Sequence, residues 1–130
     1  MIKSLTPVLP VNRIEPSLAF FERVGFEKLD EVPEGDHLGF VILANGEIQL
    51  MYQTRTSIKG DHDVLPNETD GTPALIYITV TDLDAIAEAL EGFNLIMPER
   101  TTFYGAREIG YREPGGHVVT FAQFAERADG

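Results

Sequence analysis

Three histidines, His37, His62 and His117, are the chain's most versatile chemical groups, because imidazole can ligate metals and carry protons near neutral pH. His62 lies in Asp61-His62-Asp63, a spacing able to trap an adventitious cation; in a polar stretch the triplet is read as a solvated charge cluster. His117 follows Gly115-Gly116 at a hairpin, where a turn role is expected. His37 opens a strand after the acidic turn Pro33-Glu34-Gly35-Asp36 and is assigned to the edge of a binding cleft. Cysteine is absent, which excludes thiol nucleophiles, zinc knuckles and disulfide scaffolds together. No Ser-His-Asp or lysine-based constellation and no glycine-rich phosphate loop is present. Carboxylates are everywhere; for an enzymatic reading, Glu47 or Tyr104 would be the acid or base.

Those carboxylates set the charge. Lys and Arg number 10 against 21 Asp and Glu, a net charge of −11 with histidine neutral. A field of that sign repels phosphate backbones and anionic membrane surfaces and attracts cations, so neither a nucleic-acid nor a membrane partner is expected. At 43% hydrophobic and 24% charged, the composition is that of an ordinary folded protein with a packed core. Met1 to Asn12 lacks an apolar signal-like region, and no apolar run approaches about 18 residues, so a soluble cytoplasmic protein is expected.

The elements that must position any site come in two similar sets. Pro7-Val8-Leu9-Pro10-Val11 leads into a helical stretch with Ile14, Leu18 and Phe21 on one face, Pro16 in the first turn and Gly25 as stop. Leu75 to Val80 leads into a second stretch with Leu83, Ile86, Leu90 and Phe93 at helical spacing, Thr81 or Asp82 as N-cap and Gly92 as stop. Three strand-like segments follow each helix: roughly 27–32, 37–44 and 47–53, then roughly 94–98, 106–113 and 117–124. The fold class expected is α+β, a single domain over 1–130 made of two tandem βαβββ modules, 5–53 and 73–124. The polar stretch 54–72 reads as a surface linker with the potential to act as a lid.

With this arrangement the chain resembles the glyoxalase, bleomycin-resistance and extradiol-dioxygenase superfamily, also called vicinal-oxygen-chelate, over Leu5 to Phe124. The carriers are Pro7-Val8-Leu9-Pro10-Val11, the helix Ser17-Leu18-Ala19-Phe20-Phe21 running to Val24-Gly25-Phe26, and Tyr104-Gly105-Ala106-Arg107-Glu108 leading to Glu113-Pro114-Gly115-Gly116-His117. The resemblance implies a pair of curved sheets around a ligand cleft, usually in a homodimer. It also implies a divalent metal in the enzymes of the family, held by His and Glu at positions that fall here on Thr6, Gln49, Leu75 and Thr120. None of these is a customary ligand, and only the neighbouring Glu47 could contribute one, whereas zinc needs about three protein ligands. No metal and no other cofactor is therefore expected.

Strand alternation divides the side chains between two faces. Leu5, Leu9, Val11, Ile48, Leu50, Tyr52, Ile76, Ile78, Val80, Val119 and Phe121 are assigned to packing against the helices. The opposite face carries Gln49, Met51, Tyr77 and Thr120, which with Phe103, Tyr104 and His37 form the expected ligand-binding set. Arg107 and Glu108 are placed at the mouth of the cleft or in a surface network. The functional expectation is a metal-free small-molecule-binding homodimer of the bleomycin-resistance kind, taking a cationic or aromatic ligand, with sequestration of an antibiotic as the role the resemblance implies. The alternative is a superfamily enzyme, a lyase, isomerase or dioxygenase-like member with a divergent active site.

Overall fold

The computed structural model describes residues 1–61 and 71–125, so His62 and Asp63 lie outside the described residues. Two units result, Met1–Thr72 and Pro73–Gly130. Each has a four-stranded sheet of the same topology, and the expected tandem βαβββ arrangement is observed.

The first unit runs β1 (Val8–Val11), α1 (Glu15–Arg23), β2 (Glu27–Glu34), β3 (His37–Asn45) and β4 (Ile48–Thr54), in the spatial order β1-β4-β3-β2. Strands β1 and β4 are parallel while the other pairs are antiparallel. In the second unit, β5 (Leu75–Thr79), α3 (Leu83–Ala89), β6 (Asn94–Thr101), β7 (Ala106–Arg112) and β8 (Val118–Phe124) take the order β5-β8-β7-β6. A short helix, α2 (Arg55–Asp61), forms at the start of the polar stretch and buries Ile58.

The end of α1 shows how sequence becomes structure. Gly25 has φ +97°, a left-handed conformation that glycine adopts at little cost. That turn lets Phe26 N–H donate to the Phe21 carbonyl at 3.0 Å and Gly25 N–H to the Glu22 carbonyl at 3.3 Å, the paired bonds of a Schellman motif. The Phe21 and Phe26 rings then meet edge to face, with centroids 5.2 Å apart, and Phe21 also contacts Tyr52 of β4. One glycine thus ends the helix and fastens it to the sheet. In α3 the cap is Asp82, whose carboxylate accepts from Ala85 N–H, and Leu83 and Leu90 are buried.

Leu9, Val11, Leu50, Tyr52, Val119 and Phe121 are buried as their alternation requires. Ile76, Ile78 and Val80 on and after the edge strand β5 are only partly buried, and Leu5 and Ile48 are exposed, Leu5 preceding β1 and Ile48 opening β4. Strand β2 extends past its sequence-based limit through Pro33 to Glu34, and β6 continues beyond its expected end at Pro98 to Thr101. Both are edge strands with register shifts near these prolines, and an edge tolerates a residue with no N–H to donate. Among the described residues no helix is long and apolar enough to cross a membrane.

Candidate functional site

The densest polar arrangement lies on one face of the second sheet. Register places Glu108 opposite Ala122, Gly110 opposite Thr120, and Tyr77 opposite Thr120 on its other flank. Residues paired in this way share a face, so Tyr77, Thr120, Ala122, Glu108 and Gly110 form one surface. Small residues at 110 and 122 leave room for the larger groups beside them.

Glu108 is only 1% exposed. Its Oε2 accepts from the hydroxyls of Tyr77 and Tyr104, each at 2.5 Å. Its Oε1 accepts from Arg100 Nε at 3.2 Å and Nη2 at 3.0 Å. Arg100 stands opposite Glu108 on β6, so the ion pair crosses between adjacent strands. Burial of a carboxylate is costly unless hydrogen bonds replace its water, and four donors do so here. The Tyr104 and Tyr77 hydroxyls hold the Glu108 carboxyl below its ordinary range, outweighing the opposing effect of burial. The Tyr77 phenol is pushed well above its ordinary range, first by its bond to Glu108, then by desolvation and the neighbouring Tyr104 hydroxyl.

The tight turn between β6 and β7 supplies the aromatic wall. Thr102 N–H donates to the Ala106 carbonyl at 2.8 Å, Ala106 N–H returns to Thr102 Oγ1 at 3.1 Å, and Gly105 adopts φ +86°. The turn displays Phe103 and Tyr104 edge to face, ring centroids 5.1 Å apart at 83°, and Tyr104 lies 6.1 Å from Phe124 at 32°. Phe103 is fully exposed, while Tyr77 and Tyr104 are about half exposed, at 50% and 48%. A recess of about 190 Å³ beside the turn is lined by Arg100, Thr101, Thr102, Phe103 and Tyr104, while a second of about 380 Å³, lined by Thr101, Gly105, Arg107, Gln123, Phe124 and Ala125, reaches the Arg107 side of the sheet.

Of the sequence-derived ligand set, Tyr77, Phe103, Tyr104 and Thr120 therefore belong to the second unit. Tyr77 and Tyr104 meet on one atom, Phe103 packs on Tyr104, and Thr120 lies beside Tyr77. Gln49 and Met51 stand in the first unit on β4, both partly buried, with Gln49 opposite Ala44 and Met51 opposite Ile42 and Val8. His37 begins β3, at the far end of that strand from Ala44. At about 3.4 Å per residue it is some 20 Å or more from Gln49. There His37 pairs with Glu34 at 2.9 Å and Asp36 at 3.0 Å, and both contacts, Asp36 first, raise its pKa. Glu34 also accepts from Thr54 Oγ1, so this cluster ties the β2–β3 turn to the end of β4.

Arg107 and Glu108 separate cleanly. Arg107 points to the opposite face and binds Glu99 and Asp84, a surface network, while Glu108 is the anchor of the site. Glu108 and Arg100 are the residues whose importance the sequence understated. Alternation along β7 offered a signal: Glu108 shares the face of Thr120 and falls between two small residues, Ala106 and Gly110. His117 is buried, and its Nδ1 accepts from Ala74 N–H at 2.8 Å, which fastens the start of β5 to β8. Glu113 accepts from the N–H groups of Gly115 and His117, completing a structural turn.

The donor set does not fit a divalent cation. Register pairs Val8 with Met51, Leu75 with Val118 and Tyr77 with Thr120, while Thr6 precedes β1 and Gln49 lies on β4. None of these carries an imidazole or carboxylate, and among the described residues no group of three or more His, Asp or Glu is arranged to hold a metal.

Residues 3–121 match the family model described as the Glyoxalase/Bleomycin resistance protein/Dioxygenase superfamily. Comparison with curated proteins finds no match. Among solved structures, TioX from Micromonospora sp. ML1 is similar, with a TM-score of 0.76 at 17% identity over 95% of this chain and 100% of that one. A bleomycin resistance determinant encoded on the transposon Tn5 gives 0.66 at 18% identity over 96% and 100%. A bleomycin-binding protein complexed with bleomycin gives 0.62 at 19% over 95% and 100%. At these identities the likeness concerns the fold.

Proposed function

The chain belongs to the glyoxalase/bleomycin resistance protein/dioxygenase superfamily, and from that membership we propose that it is a metal-free small-molecule-binding protein, one that holds a cationic or aromatic ligand without transforming it. The observation that carries this reading is the face built from Tyr77, Phe103, Tyr104 and Thr120 over the buried Glu108. The Tyr77 and Tyr104 rings, held by hydrogen bonds to Glu108, lose little entropy when a planar ligand stacks on them, and aromatic faces attract cations. Gln49 and Met51 are assigned as ligand-facing groups of the first unit. The net charge of −11 draws a cationic ligand toward the protein. A homodimer acting in the cytoplasm by stoichiometric sequestration, as for an antibiotic, completes the reading.

The acid–base alternative is the weaker one for a physical reason: Glu47 lies exposed in the turn between β3 and β4, and the Tyr104 hydroxyl already gives its proton to the Glu108 carboxylate. Both oxygens of Glu108 are occupied and its pKa is lowered, so it is a poor base near neutral pH, and the raised Tyr77 phenol is a poor acid.

Calorimetry against bleomycin, planar aromatic cations, and neutral and anionic metabolites tests the proposal, with mass spectrometry of each ligand after incubation. The expected result is saturable binding of a cationic or aromatic compound recovered intact. A preference for anionic metabolites, or consumption of the ligand, overturns it.

A further inference from the structure

An ionised carboxylate can only accept hydrogen bonds, so the two phenols that end on Glu108 Oε2 must both be donors. A phenol has a single proton, and here each is given away. Arg100 holds the other carboxylate oxygen through two N–H groups, so Glu108 cannot rotate to release them. What each phenol oxygen keeps is its capacity to accept. Both lie 2.5 Å from one atom and hence within about 5 Å of each other, on half-exposed side chains next to the exposed ring of Phe103.

Resting on the reading of this face as a small-molecule site, we propose that Tyr77 and Tyr104 form a pair of phenolic acceptors that selects ligands bearing an amidinium group on a planar aromatic ring. The ring packs into the corner made by the perpendicular Phe103 and Tyr104 rings, stacking on one and meeting the other edge-on, while the N–H groups donate to the two oxygens. A cation without N–H groups gains the attraction of the rings but leaves two acceptors desolvated and unpaired. That asymmetry is the strongest source of discrimination available to a small site, since a lost partner costs more than a made bond gains. The general acidity of the protein does not provide it, because it favours all monocations alike.

Two planar monocations of similar size make the test: naphthamidine, which has N–H donors, and N-methylquinolinium, which has none. Fluorescence titration of the purified protein should show naphthamidine binding roughly tenfold or more tightly. Tyr77→Phe and Tyr104→Phe keep the rings and remove one acceptor each, and each should lower that ratio severalfold. Glu108→Gln should go further. Arg100 retains the amide oxygen, so the amide NH₂ turns to the phenols, whose own protons then point outward, and the preference for naphthamidine should vanish. Since the ratio is taken within each protein, a loss of stability common to both probes cancels, and the two Tyr→Phe variants suffice if Glu108→Gln fails to fold. Equal binding of the two cations by the parent, or a ratio untouched by both Tyr→Phe changes, overturns the acceptor pair while leaving the aromatic site standing. Failure of both probes to bind at millimolar concentration overturns the site itself.

Discussion

The hydroxyl of Tyr77 on β5 and the hydroxyl of Tyr104 in the β6–β7 turn end on the same atom, Glu108 Oε2, each at 2.5 Å. An edge strand and a turn that touch through no backbone ladder are thereby fixed to the middle of the sheet. The aromatic wall is thus pre-organised by a buried charge, and the charge is in turn neutralised by Arg100 from the opposite edge.

This dependence makes Glu108 a stability residue as well as an anchor. Glu108→Ala removes the acceptor of four donors, and thermal unfolding should show a loss of roughly 1 to 3 kcal/mol, since Tyr77, Tyr104 and Arg100 are exposed enough to find water. A change within 0.5 kcal/mol or so, the scale of an ordinary surface substitution, would mean that the network is energetically idle.

The same carboxylate predicts a direction with pH. Its folded pKa lies below the ordinary glutamate value of 4.5, so its contribution to stability is present above 4.5 and is lost as pH falls through the folded value. Urea midpoints of the parent and of Glu108→Gln should therefore converge in acid and separate above pH 4.5. Parallel curves throughout would contradict the assigned ionisation.

His37 behaves oppositely. Its pKa is raised above 6.5 by Asp36 and then Glu34, so the stabilisation it brings is complete below 6.5 and disappears as pH rises through the folded value. His37→Gln should cost stability at pH 5.5 and little at pH 8.5 in the same urea assay. A cost that grows with pH would point to a neutral, packing role.

Much of the frame was legible in the sequence because helix stops and strand alternation are local properties. Gly25 and Gly92 announced the helix ends, and the buried set Leu9, Val11, Leu50, Tyr52, Val119 and Phe121 followed from period two. What was hidden depends on non-local register. That Glu108 meets Tyr77 follows only once β5, β8 and β7 are laid side by side, and that Arg100 reaches Glu108 requires β6 to continue through Pro98, a residue that ordinarily marks a break. His37 is assigned to the cleft edge from the sequence because it opens a strand after an acidic turn, whereas position along β3, which no periodicity reveals, puts it at the other end of the strand from Gln49.

Aromatic contact at the turn gives a prediction about binding alone. Tyr104 is half exposed and supports little of the core, so Tyr104→Ala should leave the fold intact while removing the ring that a planar ligand stacks on. A stacked or cation–π contact contributes on the order of 1 to 2 kcal/mol, which corresponds to roughly tenfold in affinity. Arg107→Ala is the companion variant: Arg107 carries a full charge but points to the opposite face, where it binds Glu99 and Asp84. Calorimetry with a planar aromatic cation should separate the two, with affinity weakened about tenfold by Tyr104→Ala and held within about twofold by Arg107→Ala. Added salt should weaken association of the cation in parent and variants alike, because the charge of the whole chain acts at long range and the ring contact does not. Equal weakening by both substitutions would mean that charge near the turn, and not the ring, governs binding, and the assignment of the site to the Tyr77 face would fall.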